Sequence, residues 1–264
     1  MANKPIVLFD MDGTLTPPRE KVEDDMIQSL IRLSAYADVG VLTGSDLEYI
    51  MQQIPQISNL ANLSKNSIDL LPCNGTKRFL FSKKHGFEQR STVSMIGSLG
   101  SRSYNDILFA CSKWQSEIMM LHPYLPFTGT FIQYRGSLLN WCPIGRNAGK
   151  HEREQWEKID ESSGIRKEYQ EKLQSFIKDC SMNVTVALGG STSFDIYPDG
   201  WDKTYGLTYY GDRTTYFIGD RCKPGGNDWH IYEKLKPAGL SYETSGPQHT
   251  LQIIEDIISK LSKN

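Results

Sequence analysis

Two carboxylates stand two residues apart directly after a short apolar run near the start of the chain. The run is Ile6–Phe9, and the segment after it reads Asp10-Met11-Asp12-Gly13-Thr14. Such a loop can bind one hard cation and leave a carboxylate oxygen free as a nucleophile, while the amides of Gly13 and Thr14 offer donors to a phosphoryl group. The alternatives are a turn with two solvated aspartates and a calcium loop. The strand-like run favours the catalytic interpretation, because open α/β sheets place their chemistry at strand ends.

Other residues of catalytic type stand in loops further along the chain. Asp220 ends another apolar run, Tyr216–Gly219, in the same manner. Ser45 begins a capping-box pattern with Glu48, so its hydroxyl either caps a helix or hydrogen-bonds a phosphoryl group. Lys203 follows a turn and, taken alone, is typical of a solvated lysine. Residue types alone therefore leave the roles of Ser45 and Lys203 open.

The elements that must position these residues alternate between strand and helix at both ends of the chain. Apolar residues recur at helical spacing from Val22 to Leu33 and again from Leu251 to Leu261. The runs Val39–Leu42 and Ile68–Leu71 are typical of strands buried on both faces. Strand–helix alternation predicts a parallel sheet. We therefore predict an α/β fold whose doubly wound parallel-sheet core comprises residues 1–83 and 198–264.

The middle of the chain, residues 84–197, has a different pattern. Phe131–Arg135, Val184–Leu188 and Ser193–Tyr197 alternate as strands do, and residues 165–180 return to helical spacing. Alternating strands of this kind favour an antiparallel sheet with helices on one face. This segment is therefore predicted to be an inserted α+β domain.

Composition excludes several classes of protein. The 29 basic and 31 acidic residues leave a net charge of −2, so no overall field draws the chain to nucleic acid or anionic lipid. The five cysteines are dispersed without a C-x-x-C pair, which argues against a disulfide framework or a zinc site. The apolar run before Asp10 is only four residues long, too short for a secretory signal, and no run reaches the roughly 20 apolar residues of a membrane span. We expect a cytoplasmic protein without nucleic-acid or membrane partners.

Several segments resemble a known family. Phe9–Thr16 resembles the first motif of the haloacid-dehalogenase (HAD) superfamily, which many phosphatases share. More specific segments resemble the eukaryotic-type phosphomannomutases, and they are Gly129–Arg135, Leu139–Arg146, Ser193–Lys203, Gly219–Asp220 and Pro224–Asp228. The matches run in order from Phe9 to Asp228. The resemblance therefore covers both predicted domains.

The resemblance implies a HAD-like core and a cap domain that binds the substrate phosphate and a second copy of the chain. The implied activity interconverts mannose 6-phosphate and mannose 1-phosphate through an aspartyl-phosphate enzyme and a hexose 1,6-bisphosphate intermediate, supplying GDP-mannose synthesis. The implied cofactors are Mg²⁺ and a glucose or mannose 1,6-bisphosphate activator. One alternative is a Mg²⁺-dependent sugar-phosphate phosphatase of the same superfamily. Another is a non-catalytic sugar-phosphate sensor, which the intact aspartate pair disfavours.

Carried over by position, the resemblance also implies roles for single residues in the core. Asp10 would be the nucleophile and Asp12 the general acid/base, with Lys203 offsetting the phosphoryl charge and Ser45 binding the phosphoryl group. The implied metal ligands are the Asp10 side chain, the Asp12 carbonyl and Asp220, with the Tyr232 carbonyl at a further metal position.

The implied substrate-binding residues are the arginines and polar side chains that match the family in the insert and near the junction: Arg19, Arg135, Arg146, Arg153, Ser193 and Asp195. Arginine suits phosphate because its guanidinium group binds two oxygens at once. The alternatives are surface salt bridges for the arginines and an ordinary solvated strand face for Ser193 and Asp195. The chain departs from the expected pattern at Thr43, where a mutase glycine is usual, and at Cys73, where an acidic residue is usual.

Overall fold

The computed structural model describes residues 4–263 and divides into two compact units. The core unit runs to Thr92 and resumes at Trp201, and the cap unit is Val93–Gly200. The first boundary falls later than the predicted position after residue 83, because Gly86–Thr92 is a strand that pairs with Lys77–Ser82 in the core sheet. The hairpin therefore extends the core and does not begin the insert.

The core unit contains, within the described residues, one seven-stranded sheet with the strand order β11-β10-β1-β2-β3-β4-β5. Its strands are β1 (Ile6–Phe9), β2 (Asp38–Leu42), β3 (Ile68–Leu71), β4 (Lys77–Ser82), β5 (Gly86–Thr92), β10 (Thr215–Gly219) and β11 (Ser241–Glu243). Its helices are α1 (Asp24–Leu33), α2 (Leu47–Gln53), α3 (Ile57–Leu63), α7 (Trp229–Leu235) and α8 (Pro247–Leu261), with 3-10 helices at Lys203–Tyr209 and Lys236–Ala238. Pairing is parallel from β11 to β3 and antiparallel at β4 and β5.

Strand β1 lies between β10 and β2, and all four of its side chains are fully buried. Burying an aliphatic or phenyl side chain stabilises a fold by about 1.5–3 kcal/mol, so this short strand is firmly placed. Its alternate side chains enter two apolar clusters, one of which includes Val7 and Phe9 while the other includes Ile6 and Leu8. The buried strand predicted from its apolar run is confirmed, and it holds the loop that begins at Asp10.

The cap unit, as far as the structure describes it, has one antiparallel four-stranded sheet with the order β6-β7-β9-β8. The elements are α4 (Met95–Leu121), β6 (Ile132–Tyr134), β7 (Leu139–Trp141), α5 (Lys150–Ser163), α6 (Ile165–Asp179), β8 (Val184–Gly189) and β9 (Ser193–Pro198). On one sheet face Trp141 stacks on Phe194 and meets the Tyr169 ring of α6 edge-on. The α+β insert with an antiparallel sheet is confirmed.

Among residues 4–263, none of the helices combines the length and the apolar composition that crossing a lipid bilayer requires.

Candidate active site

Asp10 is held at the end of β1 with its carboxylate against a buried lysine. Its backbone N–H donates to the Ile218 carbonyl of β10 at 2.9 Å. Lys203 Nζ lies 2.5 Å from Asp10 Oδ1 and 2.6 Å from Asp228 Oδ1. Lys203 is 1% exposed, so the alternative of a solvated lysine is wrong. The lysine is instead clamped between two carboxylates, which fixes it beside the predicted nucleophile.

Asp10, Asp220 and Asp228 bring carboxylate oxygens within 4.8 Å of one another. Burial raises the pKa of Asp10 well above its ordinary value, and the charges of Asp228 and Asp220 add to this effect while Lys203 opposes it. Burial also raises the pKa of Asp220. Burial alone would lower the pKa of Lys203, but the carboxylates of Asp10 and Asp228 raise it above its ordinary value. With all four groups charged, one ammonium against three carboxylates leaves an excess of negative charge that suits a divalent cation.

The hydrogen bonds in this cluster separate the carboxylates that anchor from those that can bind a metal. Asp228 uses both oxygens, one on Lys203 and one on the Arg221 amide at 3.0 Å. Asp220 Oδ1 is buried and has no hydrogen-bond partner among the described residues. A buried carboxylate oxygen left in this state is a ready ligand for Mg²⁺, which prefers oxygen. The residues present therefore fit the predicted ion.

Asp220 also depends on a glycine in the opposite loop. Gly13 has a φ of +80°, and a Cβ at this position would lie 2.6 Å from Asp220 Oδ2. Glycine thus allows the loops after β1 and β10 to meet. The predicted ligand at Tyr232 lies in α7, where its carbonyl accepts the Lys236 amide, and its metal role stays a prediction.

The loop after β1 is closed by its own backbone hydrogen bonds. The Gly13 amide donates to the Thr16 carbonyl at 2.7 Å, and the Thr14 amide donates to the Met11 carbonyl at 3.2 Å. The prediction that these two amides face a phosphoryl group is therefore wrong, because both are engaged within the loop. The amides of Met11 and Asp12 donate to none of the described residues. They are the loop donors that remain for an anion.

The Asp12 carboxylate accepts two hydrogen bonds on a single oxygen. Its Oδ1 atom lies 2.9 Å from the Arg19 backbone nitrogen and 3.0 Å from the Tyr49 hydroxyl. Arg19 has a left-handed φ of +63°, unusual for a residue with a side chain, and this conformation accompanies the amide contact. Arg19, predicted to bind substrate, thus contacts Asp12 through its backbone amide. Tyr49 was missed by sequence reasoning, since nothing in its local pattern marks a contact with the loop after β1.

Ser45 does not cap the helix that follows it. Asp46 caps α2 by accepting the Tyr49 amide at 3.0 Å, so the capping alternative for Ser45 is wrong. The Ser45 amide donates to Thr43 Oγ1 at 3.2 Å, and its carbonyl accepts the Cys73 amide at 2.8 Å. Thr43 and Cys73, the two residues that depart from the family pattern, therefore both hold the Ser45 backbone in place. The Ser45 hydroxyl takes no part in these contacts and stays available to bind a phosphoryl group.

The cap unit carries a row of polar side chains across its sheet, formed by Gln133, Asn140 and Asp195 on neighbouring strands. We call it the polar row. Asn140 Nδ2 donates to Asp195 Oδ1 at 2.7 Å and to Ser193 Oγ at 3.1 Å, while its Oδ1 accepts from Arg146 at 2.8 Å. Asn140 thus joins three predicted substrate residues, and sequence reasoning missed it. The available signal was an amide inside an apolar strand, which must find partners when buried.

The other two predicted cap arginines are buried. Arg135 is 7% exposed, and its Nε lies 3.3 Å from Oε1 of Gln133 in the polar row. Arg153, on α5, donates to the Ala148 carbonyl and to Thr192 Oγ1, both at 2.9 Å. Arg135 therefore belongs with the polar row. Arg153 braces two loops, one of which leads directly into β9.

Three features together define a HAD-fold protein. They are a buried strand that ends in a carboxylate loop, a lysine held between aspartates, and an inserted α+β domain. Solved structures agree on the fold. IMP-bound IMP-nucleotidase of Plasmodium falciparum is similar with a TM-score of 0.66 at 14% identity, covering 96% of this chain and 68% of that one. A trehalose-6-phosphate phosphatase related protein gives a TM-score of 0.55 at 12% identity, covering 98% of this chain and all of that one.

The sequence comparison identifies the family within that fold. The model of the eukaryotic phosphomannomutase family matches residues 26–260, and the chain belongs to this family. Phosphomannomutase of Saccharomyces cerevisiae is 33% identical, over 96% of this chain and 94% of the yeast protein. Phosphomannomutase of Spinacia oleracea is 34% identical, over 97% of this chain and 98% of the spinach protein. The resemblance stated from the motifs is confirmed.

Proposed function

We propose that this enzyme interconverts mannose 6-phosphate and mannose 1-phosphate through a phosphorylated Asp10. The observation that carries the proposal is the buried contact of Asp10 with Lys203 beside the open oxygen of Asp220, in a chain similar over its length to phosphomannomutases. The lysine keeps the carboxylate in place, and a carboxylate is a competent nucleophile towards phosphorus.

The transfer follows from the positions of these side chains. An Asp10 oxygen forms a bond to phosphorus while the bond from phosphorus to the sugar oxygen breaks, and Asp12 gives its proton to that departing oxygen. Lys203, the amides of Met11 and Asp12, and the Ser45 hydroxyl stabilise the charge on the phosphoryl oxygens. In the return step Asp12 takes the proton from the sugar hydroxyl that attacks the phosphorylated Asp10.

Asp10, Asp220 and the Asp12 carbonyl would hold Mg²⁺, which when bound supplies positive charge that offsets the charges of the nucleophile and the phosphoryl group. The excess negative charge of the cluster and the open Asp220 oxygen support this assignment.

The polar row of the cap unit supplies the other half of the recognition. The Arg135 side chain contacts Gln133 of the row, and the Arg146 side chain contacts Asn140. Guanidinium groups bind phosphate strongly. We assign them to the phosphate that is not being transferred. A hexose 1,6-bisphosphate then serves as activator and intermediate, because it carries a phosphate at each of the two sugar oxygens between which the transfer runs.

The test is a product analysis. Mannose 1-phosphate, Mg²⁺ and a trace of hexose 1,6-bisphosphate are incubated with the enzyme, and the products are followed by ³¹P NMR. We expect mannose 6-phosphate to accumulate, and chelation by EDTA to stop the reaction. Free phosphate without mannose 6-phosphate would overturn the proposal in favour of a sugar-phosphate phosphatase. Parallel reactions with glucose 1-phosphate measure the preference between the two sugars.

We also propose that the cap unit pairs with a second copy of the chain. Large apolar side chains cluster near the end of α4 and just after it, where Met120 is 79% exposed, and Leu121 and Tyr124 are each 59% exposed. Phe109, on the same helix, is 68% exposed. Exposed apolar surface of this kind marks interaction sites, and the commonest homodimers are two-fold symmetric. Sedimentation of the wild-type protein should show a dimer. The double variant Met120→Glu/Phe109→Glu should be a monomer. A monomeric wild type would refute the proposed pairing.

A further inference from the structure

Tyr49 occupies a fixed position beside the proton-transfer carboxylate. It lies in the first turn of α2, and the Asp46 cap holds its backbone amide at 3.0 Å. Its hydroxyl lies 3.0 Å from Asp12 Oδ1, a contact between residues 37 positions apart in the sequence. The helix start therefore aims a phenol at the loop after β1.

The two hydrogen bonds to Asp12 are asymmetric. The Arg19 amide and the Tyr49 hydroxyl both donate to Oδ1, and none of the described residues donates to Oδ2. An oxygen that accepts two donors is a poor place for the carboxyl proton, because a third hydrogen would crowd it. Oδ2 is therefore the oxygen that stays open for an exchange with substrate. Two donors on one oxygen also stop the carboxyl group from rotating, so Oδ2 keeps one direction.

We propose that Tyr49 is a positioning residue for proton transfer by Asp12, an inference that rests on the function proposed above. By holding Oδ1, the phenol keeps Oδ2 aimed at the sugar oxygen. As the bond from Asp10 to phosphorus forms and the bond from phosphorus to the sugar oxygen breaks, the Oδ2 proton passes to that oxygen. The reverse step returns the proton to Oδ2. Tyr49 keeps its own proton throughout and does not touch the reacting bonds.

The test compares leaving groups that need a proton with one that does not. Mannose 1-phosphate releases a poor leaving group, whereas p-nitrophenyl phosphate releases an anion that is stable at neutral pH. Tyr49→Phe removes the hydroxyl and keeps the ring. Tyr36→Phe is the matched control, because Tyr36 is 40% exposed and lies outside the site. Steady-state turnover is measured with the sugar phosphate, and the burst of p-nitrophenolate in rapid mixing isolates the attack by Asp10.

A positioned general acid contributes about 10²–10⁴-fold, so loss of its alignment should lower kcat for mannose 1-phosphate about 10-fold in Tyr49→Phe. KM and the burst rate with p-nitrophenyl phosphate should each stay within about 2-fold, since Asp10 and the phosphate contacts are unchanged. Tyr36→Phe should match the wild type in both assays. The melting temperature of Tyr49→Phe should equal that of the wild type, which would show that the fold is intact.

A parallel fall in both reactions would mean that Tyr49 only supports the structure, and an unchanged kcat would mean that Asp12 needs no phenol. Either result overturns the inference. A failure of the proposed mutase function is seen separately, because wild-type enzyme would then release phosphate without forming mannose 6-phosphate. The ratio of sugar-phosphate cleavage to p-nitrophenolate burst remains measurable in that case.

Discussion

The carboxylate cluster of the core unit and the polar row of the cap unit have opposite electrostatic character. In the core, Asp10, Asp220 and Asp228 lie around Lys203, and three of these four residues are at most 4% exposed. In the cap, Arg135 and Arg146 contact neutral amides that lie in line with a single aspartate. The core cluster is suited to a cation and a nucleophile, and the polar row is suited to an anion.

The two regions also obtain their rigidity differently. The core cluster is held by ionic contacts in a buried setting, where removing one partner leaves an uncompensated charge. The polar row is held by hydrogen bonds between neighbouring strands, with Asn140 as its central member. Substitutions in the core should therefore affect chemistry and stability together. Substitution of the arginines that contact the row should chiefly weaken recognition of the sugar phosphate.

The largest effect is expected from Asp10→Asn. The amide cannot attack phosphorus, so both mutase turnover and the p-nitrophenolate burst should fall by at least about 10³-fold. Mass spectrometry after a brief incubation with the bisphosphate should detect phosphoenzyme in the wild type alone. Phosphoenzyme in the variant would mean that another residue is the nucleophile. That result would contradict the assignment of the chemistry to the core unit.

Lys203→Met should combine loss of activity with loss of stability. Removing the ammonium group leaves Asp10 and Asp228 facing each other, and breaking a buried ion pair costs about 3–5 kcal/mol of folding free energy. Urea unfolding in EDTA should show this loss, and added Mg²⁺ should recover part of it by binding the native state. The double variant Lys203→Met/Asp228→Asn should be more stable than Lys203→Met. Equal stabilities would mean that Asp228 is not the lysine's anchor.

The core cluster was more predictable from the sequence than the polar row. Short apolar runs that end in a carboxylate placed Asp10 and Asp220 at strand ends, and parallel strands bring such ends to one edge. Asn140 could not be found in this way, because its partners depend on the register between β7 and β9. Tyr49 reaches Asp12 only because β1 and β2 are neighbours. Contacts set by pairing between distant segments leave no local pattern.

The boundary of the insert was misplaced for a related reason. Strand β5 is half-exposed along its length and lies at the sheet edge, so its sequence lacks the apolar run that marked the buried strands. The polar residues of Gly86–Thr92 were therefore assigned to the insert. An edge strand needs little apolar surface, since one of its sides and part of its faces meet water.

Arg135→Ala with Arg146→Ala tests the cap side of the comparison. Each charge-assisted contact to a phosphate is worth about 1.5–3 kcal/mol, so kcat/KM for mannose 1-phosphate should fall about 100-fold or more. The p-nitrophenolate burst should stay within about 2-fold, because that substrate has no second phosphate and the core is untouched. The melting temperature should change little. A comparable loss in the burst would show that these arginines serve the chemistry at Asp10 as well.

The smallest effect is expected from Thr43→Gly, which restores the residue usual in the family. The variant removes the hydroxyl that accepts the Ser45 amide at 3.2 Å, and a neutral hydrogen bond contributes about 0.5–1.5 kcal/mol. Mutase turnover should fall about 2- to 5-fold, because the Ser45 hydroxyl loses part of its orientation. Thr43→Ser is the control, since it keeps the acceptor and should retain wild-type turnover. Free phosphate and mannose 6-phosphate are measured together in both variants. If glycine raised the yield of mannose 6-phosphate over free phosphate, Thr43 would be a determinant of the balance between transfer and hydrolysis, and the core would share in selecting the acceptor.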